Sequence, residues 1–99
     1  MVRTQIAVVG VTEEEVEEGL SNLLGDLLHC PELKWATAHW DEDQDALVVV
    51  VDAEGDDPGL ENGAGATSYD VVRETVSANP VFTGDQIEFH IVDCQVLPV

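Results

Sequence analysis

The sequence predicts an α+β sandwich in which two helices pack on one face of a four-stranded antiparallel sheet. Three observations support this: short β-branched runs that indicate strands, two segments with the apolar spacing of amphipathic helices, and their order along the chain, βαββαβ. That order is typical of a ferredoxin-like sandwich, whose first and third strands are central and whose second and fourth strands are edges. Right-handed crossovers then place both helices on the same side.

Length and composition indicate one globular domain spanning residues 1–99. The chain is 44% hydrophobic, which is ordinary for a globular protein. No stretch approaches the roughly 18 apolar residues that span a bilayer, so no membrane partner is expected. The N-terminus lacks the apolar segment of a secretory signal. Two cysteines, Cys30 and Cys94, are too few for a disulfide framework, so a reduced, cytoplasmic protein is expected.

The charge is unusual. Twenty-one acids against three bases, Arg3, Lys34 and Arg73, give a formal net charge of −18. Such a chain repels itself at low ionic strength and is stabilised by salt. In its near-absence of lysine, the chain resembles proteins from organisms with salt-filled cytoplasms. Alternatively, the acidic surface binds a basic partner. Nucleic-acid binding is not expected, because no basic patch exists to release phosphate counterions.

The first two elements are a strand over residues 5–11 and a helix that follows Thr12. Thr12 and Glu15 form a capping-box pattern, and Pro31 ends the helix. Its apolar stripe is spaced at steps of three and four, comprising Val16, Leu20, Leu23, Leu24, Leu27 and Leu28. Gly19 and Gly25 weaken this helix unless close packing needs them.

A hairpin follows, formed by residues 33–40 and 46–53. A two- or four-residue tip pairs Trp40 with Leu47 on one face and His39 with Val48 on the other. The first face continues with Ala38 opposite Val49 and Ala36 opposite Val51, and the second with Thr37 opposite Val50 and Trp35 opposite Asp52. The wholly apolar first face is expected under the helices, and the mixed second face is expected to be open.

The C-terminal half is predicted to hold an irregular segment (54–66), a helix and a last strand. The helix is expected to begin at a Thr67 or Ser68 cap and to stop at Asn79-Pro80. Regular alternation in the strand 86–97 puts Ile87, Phe89 and Ile91 on one face, and Glu88, His90, Val92 and Cys94 on the other. The glycines 63–65 precede the helix but lack a phosphate-loop pattern.

The open face of the sheet is the predicted functional surface, because it is more apolar than bare solvent exposure favours. A second copy, another protein or a small-molecule ligand is expected to cover it. The candidate ligand or interface residues are Trp35, Thr37, His39, Val48, Val50, Glu88, His90 and Val92.

Two metal-site patterns were weighed and set aside. Asp41, Asp43 and Asp45 have the opening spacing of a calcium loop, but Ala46 stands at the turn-glycine position and strands flank the loop. We therefore expect a solvated hairpin tip. His39 and His90 lie on opposite edge strands, about 14 Å apart over three interstrand steps, too far to share a zinc ion within one chain. No metal or cofactor is expected, although a zinc site across a dimer interface stays open.

The element order and the "VVGVT" that leads into the first helix resemble ACT regulatory domains, which bind amino acids near that loop and pair through their sheets. The Pro-Gly-Leu-Leu-type start of the ACT helix is replaced here by "TEEEVEEGL". The architecture also resembles the dimeric α+β barrel proteins, which pack open sheet faces together and in some cases catalyse reactions without a cofactor.

The sequence therefore predicts a non-catalytic interaction or small-molecule-sensing module that forms a homo-oligomer through its open sheet face. The alternative is a small cofactor-independent enzyme of the α+β barrel type, with His39 or His90 as the proton shuttle in a dimer cavity. No nucleophile elbow or cysteine–histidine signature accompanies these histidines.

Overall fold

The computed structural model describes residues 1–55, 57, 59, 63–84 and 86–98. The elements are β1 (Val2–Val9), α1 (Glu13–Leu28), β2 (Leu33–Asp41), β3 (Ala46–Ala53), α2 (Ala64–Ala78) and β4 (Glu88–Val96). The sheet is antiparallel throughout, with strand order β2-β3-β1-β4. This confirms the predicted α+β ferredoxin-like layout, with β1 and β3 central.

The core lies between the sheet and the helices. It is formed by alternate apolar residues of the strands, by the buried apolar stripe of α1, and by Val72 and Val76 of α2. Burying such side chains stabilises the fold by about 1.5–3 kcal/mol each. Its fully buried members include Ile6, Val8, Leu23, Leu27, Leu47, Val49 and Val51.

Strand β1 begins earlier and ends earlier than predicted, at Val2 and Val9 instead of residues 5 and 11. Its first residues are polar in sequence, which hid the strand pattern. Thr4 is fully buried on the helix side, whereas Arg3 and Gln5 lie on the other side. Pairing with β3 and β4 starts at Val2, so neighbouring strands fix this segment as strand.

The hairpin register is confirmed: Trp40 pairs with Leu47, and His39 pairs with Val48. The tip is the four-residue form, closed by a hydrogen bond from the Asp45 N–H to the Glu42 carbonyl. The Asp41 carboxylate accepts hydrogen bonds from the backbone N–H groups of Asp43 and Gln44 and from the Gln44 side-chain amide. The acidic segment 41–45 is thus a turn whose backbone N–H groups are bound by one of its own carboxylates.

Helix α1 has the predicted capping box. Thr12 Oγ1 accepts the Glu15 N–H at 3.1 Å, and Glu15 Oε1 accepts the Thr12 N–H at 2.8 Å. Gly19 is buried, and a Cβ there would lie 3.2 Å from the Phe82 ring, so close packing explains it. Gly25 has no heavy atom within 4 Å of such a Cβ, so packing does not explain that glycine.

The predicted start of α2 is wrong. The helix begins at Ala64 behind Gly63, which makes no side-chain cap, so neither Thr67 nor Ser68 is the cap. Ala64 and Gly65 are buried, and burial of these small residues adds a helical turn that turn propensity alone would not favour. The helix does stop before Asn79-Pro80, as predicted. Part of the predicted irregular segment 54–66 lies outside the described residues.

The predicted face of Cys94 is also wrong. Strand β4 shifts register opposite Gln5 and Ile6, so that Val92 is an extra residue in the ladder. Beyond this bulge Cys94 pairs with Thr4 on the helix side, where its Sγ lies 3.5 Å from Thr4 Oγ1. A one-residue insertion reverses every later side chain in a strand, which simple alternation from His90 could not anticipate.

Candidate functional site

The open face is the side of the sheet that the helices do not cover. Its side chains form rows across the four strands, because residues that pair across neighbouring strands lie side by side. The rows, read from β2 to β4, are Trp35–Asp52–Arg3–Gln95, Thr37–Val50–Gln5–Asp93 and His39–Val48–Ala7–His90. The predicted residues Trp35, Thr37, His39, Val50 and His90 are therefore brought together on one surface.

The first row contains a cluster of Arg3, Asp52 and Trp35. Arg3 Nε donates to Asp52 Oδ1 at 2.8 Å, and its Nη2 donates to Oδ2 at 3.0 Å, a bidentate ion pair. The same guanidinium lies 4.7 Å from the centroid of the Trp35 ring, a cation–π contact. The hydrogen bond to Asp52 raises the pKa of Arg3, opposed by some desolvation. The Arg3 guanidinium neutralises the carboxylate of Asp52, a residue that is only 6% exposed.

The middle of the face is apolar and largely covered by its neighbours. Val48 is 1% exposed and Ala7 is 5% exposed, although no helix lies over them. Val50 and Thr37 are half-buried, whereas Trp35 is 41% exposed. Val48 therefore lies on the predicted open face, but it is buried under neighbouring side chains and exposes almost no surface to a partner. The unbroken apolar run of β3 is explained in part by these flanking side chains.

Charge is nearly absent from three strands of this face. At the described open-face positions of β1, β2 and β3, the acids are Asp52, paired with Arg3, and Asp41, held in the hairpin turn. The helix side differs: Glu13, Glu14, Glu17 and Glu18 of α1 are all exposed. These α1 glutamates therefore lie on the opposite side of the sheet from the open face.

Strand β4 forms a more polar border of the open face. Glu88, Asp93 and His90 are exposed, and His90 Nε2 lies 3.3 Å from Glu88 Oε2. Val92, the bulge residue, is 50% exposed. The predicted residues on this strand thus lie at the margin, around the uncharged centre.

The two histidines end one row at opposite edges of the sheet. His39 and His90 are separated by Val48 and Ala7, three interstrand steps of about 4.8 Å, and both are exposed. Among residues in the described ranges, no three His, Cys, Asp or Glu side chains are grouped as a metal site. A proton-shuttle role for either histidine would need surroundings from a second copy, and it stays a prediction.

Two residues of the open-face cluster escaped the sequence reasoning in different ways. Asp52 was correctly paired with Trp35, but its partner Arg3 lay outside the predicted first strand. The usable signal was the isolated base in "VRTQI" beside an acid at the end of β3. Arg3 and Asp52 become neighbours only through the pairing of β1 with β3.

Comparisons with protein-family models, curated proteins and solved structures found no match. In the part of the chain that the structure describes, no helix is long and apolar enough to cross a membrane.

Proposed function

We propose that this protein is a non-catalytic interaction module that forms a homodimer by packing the open faces of two sheets. The observation that carries the proposal is the uncharged centre of the open face in a chain of net charge −18. Trp35, Val50 and Thr37 line that centre, and Arg3 neutralises its one buried acid. Trp35, which is 41% exposed, is the large apolar side chain that this centre offers, and aromatic residues are enriched at protein–protein interfaces.

Charge complementarity favours a second copy as the occupant. Two chains with the same large negative charge can approach only through a surface that carries little of it. A basic partner would be attracted instead to the exposed glutamates of α1, on the helix side of the molecule. The open face therefore suits self-association better than it suits a cationic partner.

The size of the face is sufficient for a modest interface. Eight-residue strands at about 3.3 Å per residue, four abreast at about 4.8 Å, give a face of roughly 500 Å². Two copies would bury about 1,000 Å² in total, the lower limit for a specific interface. Two-fold packing at about 10 Å between sheets would place each Trp35 against the partner's sheet.

Salt is part of the mechanism proposed. The Debye length falls from about 10 Å at 0.1 M salt to about 3 Å at 1 M, which screens the repulsion between the two acidic chains. Association is therefore expected to strengthen as KCl rises, the behaviour expected of a protein adapted to a salt-rich cytoplasm.

Sedimentation equilibrium in about 1 M KCl tests the dimer. The expected mass is twice the 10.7 kDa of one chain. Val50→Glu should shift the protein to monomer, since it buries an unpaired carboxylate in the interface. Leu28→Glu is the matched control: Leu28 is 57% exposed on α1, away from the open face, and the same charge is added.

Thr37→Glu repeats the test on an edge strand in case Val50→Glu does not fold. A monomeric wild-type protein at this salt concentration would overturn the proposal. Equal dissociation by Leu28→Glu and the two open-face variants would also overturn it, because the added charge alone would then explain the effect.

A further inference from the structure

A groove runs between α2 and the edge strand β4, and its lining reaches Glu88 and His90 at the border of the open face. Its volume is about 730 Å³, within the range of about 300–1,000 Å³ that small-molecule sites occupy. Tyr69, Ile87 and Phe89 line it and are only half-buried, and Phe82 lies against them, almost fully buried. Tyr69 and Phe89 meet edge to face, with ring centroids 6.4 Å apart. The groove therefore offers a patch of aromatic and aliphatic side chains within a lining that is otherwise largely polar.

Arg73 lines the same groove and differs from the other two basic residues. Arg3 binds Asp52, and Lys34 lies 3.8 Å from Glu54. Arg73 is exposed on α2, and no carboxylate of a described residue lies within 4.0 Å of it. In a chain with 21 acids, an unpaired guanidinium beside an apolar groove is a specific arrangement. It can bind a carboxylate with two parallel hydrogen bonds.

Asn79 supplies a second polar group to the groove. Its Oδ1 accepts the Val81 N–H at 2.9 Å, which fixes the orientation of the amide. Its Nδ2 is buried without an acceptor, although the residue is only 4% exposed. A buried donor without a partner is costly and uncommon in proteins.

We infer that this groove binds a small organic carboxylate with an aromatic or branched apolar body. The carboxylate pairs with Arg73, and the apolar body packs on Tyr69, Ile87 and Phe89. One unpaired base suits a monoanion, since a phosphate dianion would meet Glu88 on the opposite wall with a single cation to balance it. Glu88 and His90 of the open-face border also line the groove, but Arg73, Tyr69, Ile87 and Phe89, which carry the inference, take no part in the proposed dimer.

Titration with phenylacetate, followed by amide chemical shifts in about 1 M KCl, tests the groove. Phenylacetamide is the neutral probe of nearly the same shape. We expect saturable shifts in residues 69–84 and 86–90, with phenylacetate bound about tenfold or more tightly than phenylacetamide. Arg73→Gln should reduce that preference to near unity. Lys34→Gln, which removes a base away from the groove, should leave it unchanged.

Phe89→Ala should weaken both probes, since it removes apolar contact without touching the charge. Equal affinity for the two probes, or a preference that survives Arg73→Gln, would overturn the inference. So would shifts that saturate only outside the groove, or no saturable shift at all. Sedimentation of the same samples keeps this outcome separate from that of the dimer.

Discussion

Arg3 on β1 and Asp52 on β3 form a bidentate ion pair across adjacent strands, at 2.8 and 3.0 Å, on the uncovered side of the sheet. The guanidinium also contacts the Trp35 ring on the far side of Asp52. The pair links β1 and β3, the Trp35 contact adds β2, and the pair neutralises the one acid that would otherwise charge the centre of the open face. It therefore bears on both the stability of the sheet and the proposed self-association.

Removing Arg3 alone should destabilise the protein more than removing the pair. Arg3→Gln leaves the nearly buried Asp52 carboxylate without its cation, and we expect the melting temperature to fall by roughly 5 °C or more. Arg3→Gln with Asp52→Asn should recover much of that loss, because no uncompensated charge remains. Calorimetry in constant salt measures both.

Lys34→Gln is the control for the loss of one positive charge. The contact between Lys34 and Glu54 is long and exposed, so its loss should change the melting temperature little. If Lys34→Gln and Arg3→Gln destabilise equally, the net charge of the chain, and not the ion pair, determines the loss.

Gly10 should tolerate no side chain. Its φ of +89° is strained for other residues, and a Cβ there would clash with the backbone carbonyl of Gln86. Gly10→Ala should lower the free energy of unfolding by about 2 kcal/mol or more, measured by urea denaturation.

Gly25→Ala is the opposite case and serves as its control. The helical Gly25 has open space where a Cβ would lie, so alanine should stabilise the protein by about 1 kcal/mol. A neutral result at Gly10 would show that the β1–α1 connection adapts to a side chain.

The capping box of α1 should contribute measurably to stability. Thr12→Ala removes the hydrogen bond to the Glu15 N–H and should cost about 1 kcal/mol in urea denaturation. Thr12→Ser keeps an acceptor oxygen and should lie within a few tenths of wild type. Equal losses in the two variants would show that the threonine methyl, and not the cap, matters.

Salt should stabilise the fold of the single chain as well as the proposed dimer. At a net charge of −18, raising KCl from about 0.1 to 2 M should increase the melting temperature strongly by screening repulsion. Replacing the exposed Glu14, Glu17 and Glu18 with Gln should raise stability at low salt and flatten the salt dependence. A melting temperature independent of KCl would contradict the adaptation to salt inferred from composition.

The sequence allowed the hairpin register to be predicted because period-two alternation and the short acidic tip restrict it strongly. Trp40 opposite Leu47 follows from any even-length tip. Arg3 was missed because three of the first five residues are polar, and only pairing with β3 makes them strand. Local patterns show which faces are apolar, but pairing partners decide where a strand begins.

The bulge at Val92 and the start of α2 were unpredictable for a related reason. Nothing in "HIVDCQV" marks the extra residue that turns Cys94 toward Thr4. The small residues before Thr67 favour a turn locally, yet burial makes Ala64 helical. The groove escaped prediction because it depends on how far α2 covers β4, a tertiary relationship that neither segment encodes alone.

Isotope-filtered nuclear Overhauser measurements on a mixture of labelled and unlabelled protein in about 1 M KCl would detect contacts between the open faces of two copies. If two sheets pack by their open faces, the Val50 methyls of one copy should give intermolecular signals to protons of Trp35 or Thr37 in the other. Leu28 on α1 should give none. The absence of intermolecular signals from Val50, or signals that arise instead from the helices, would contradict the account.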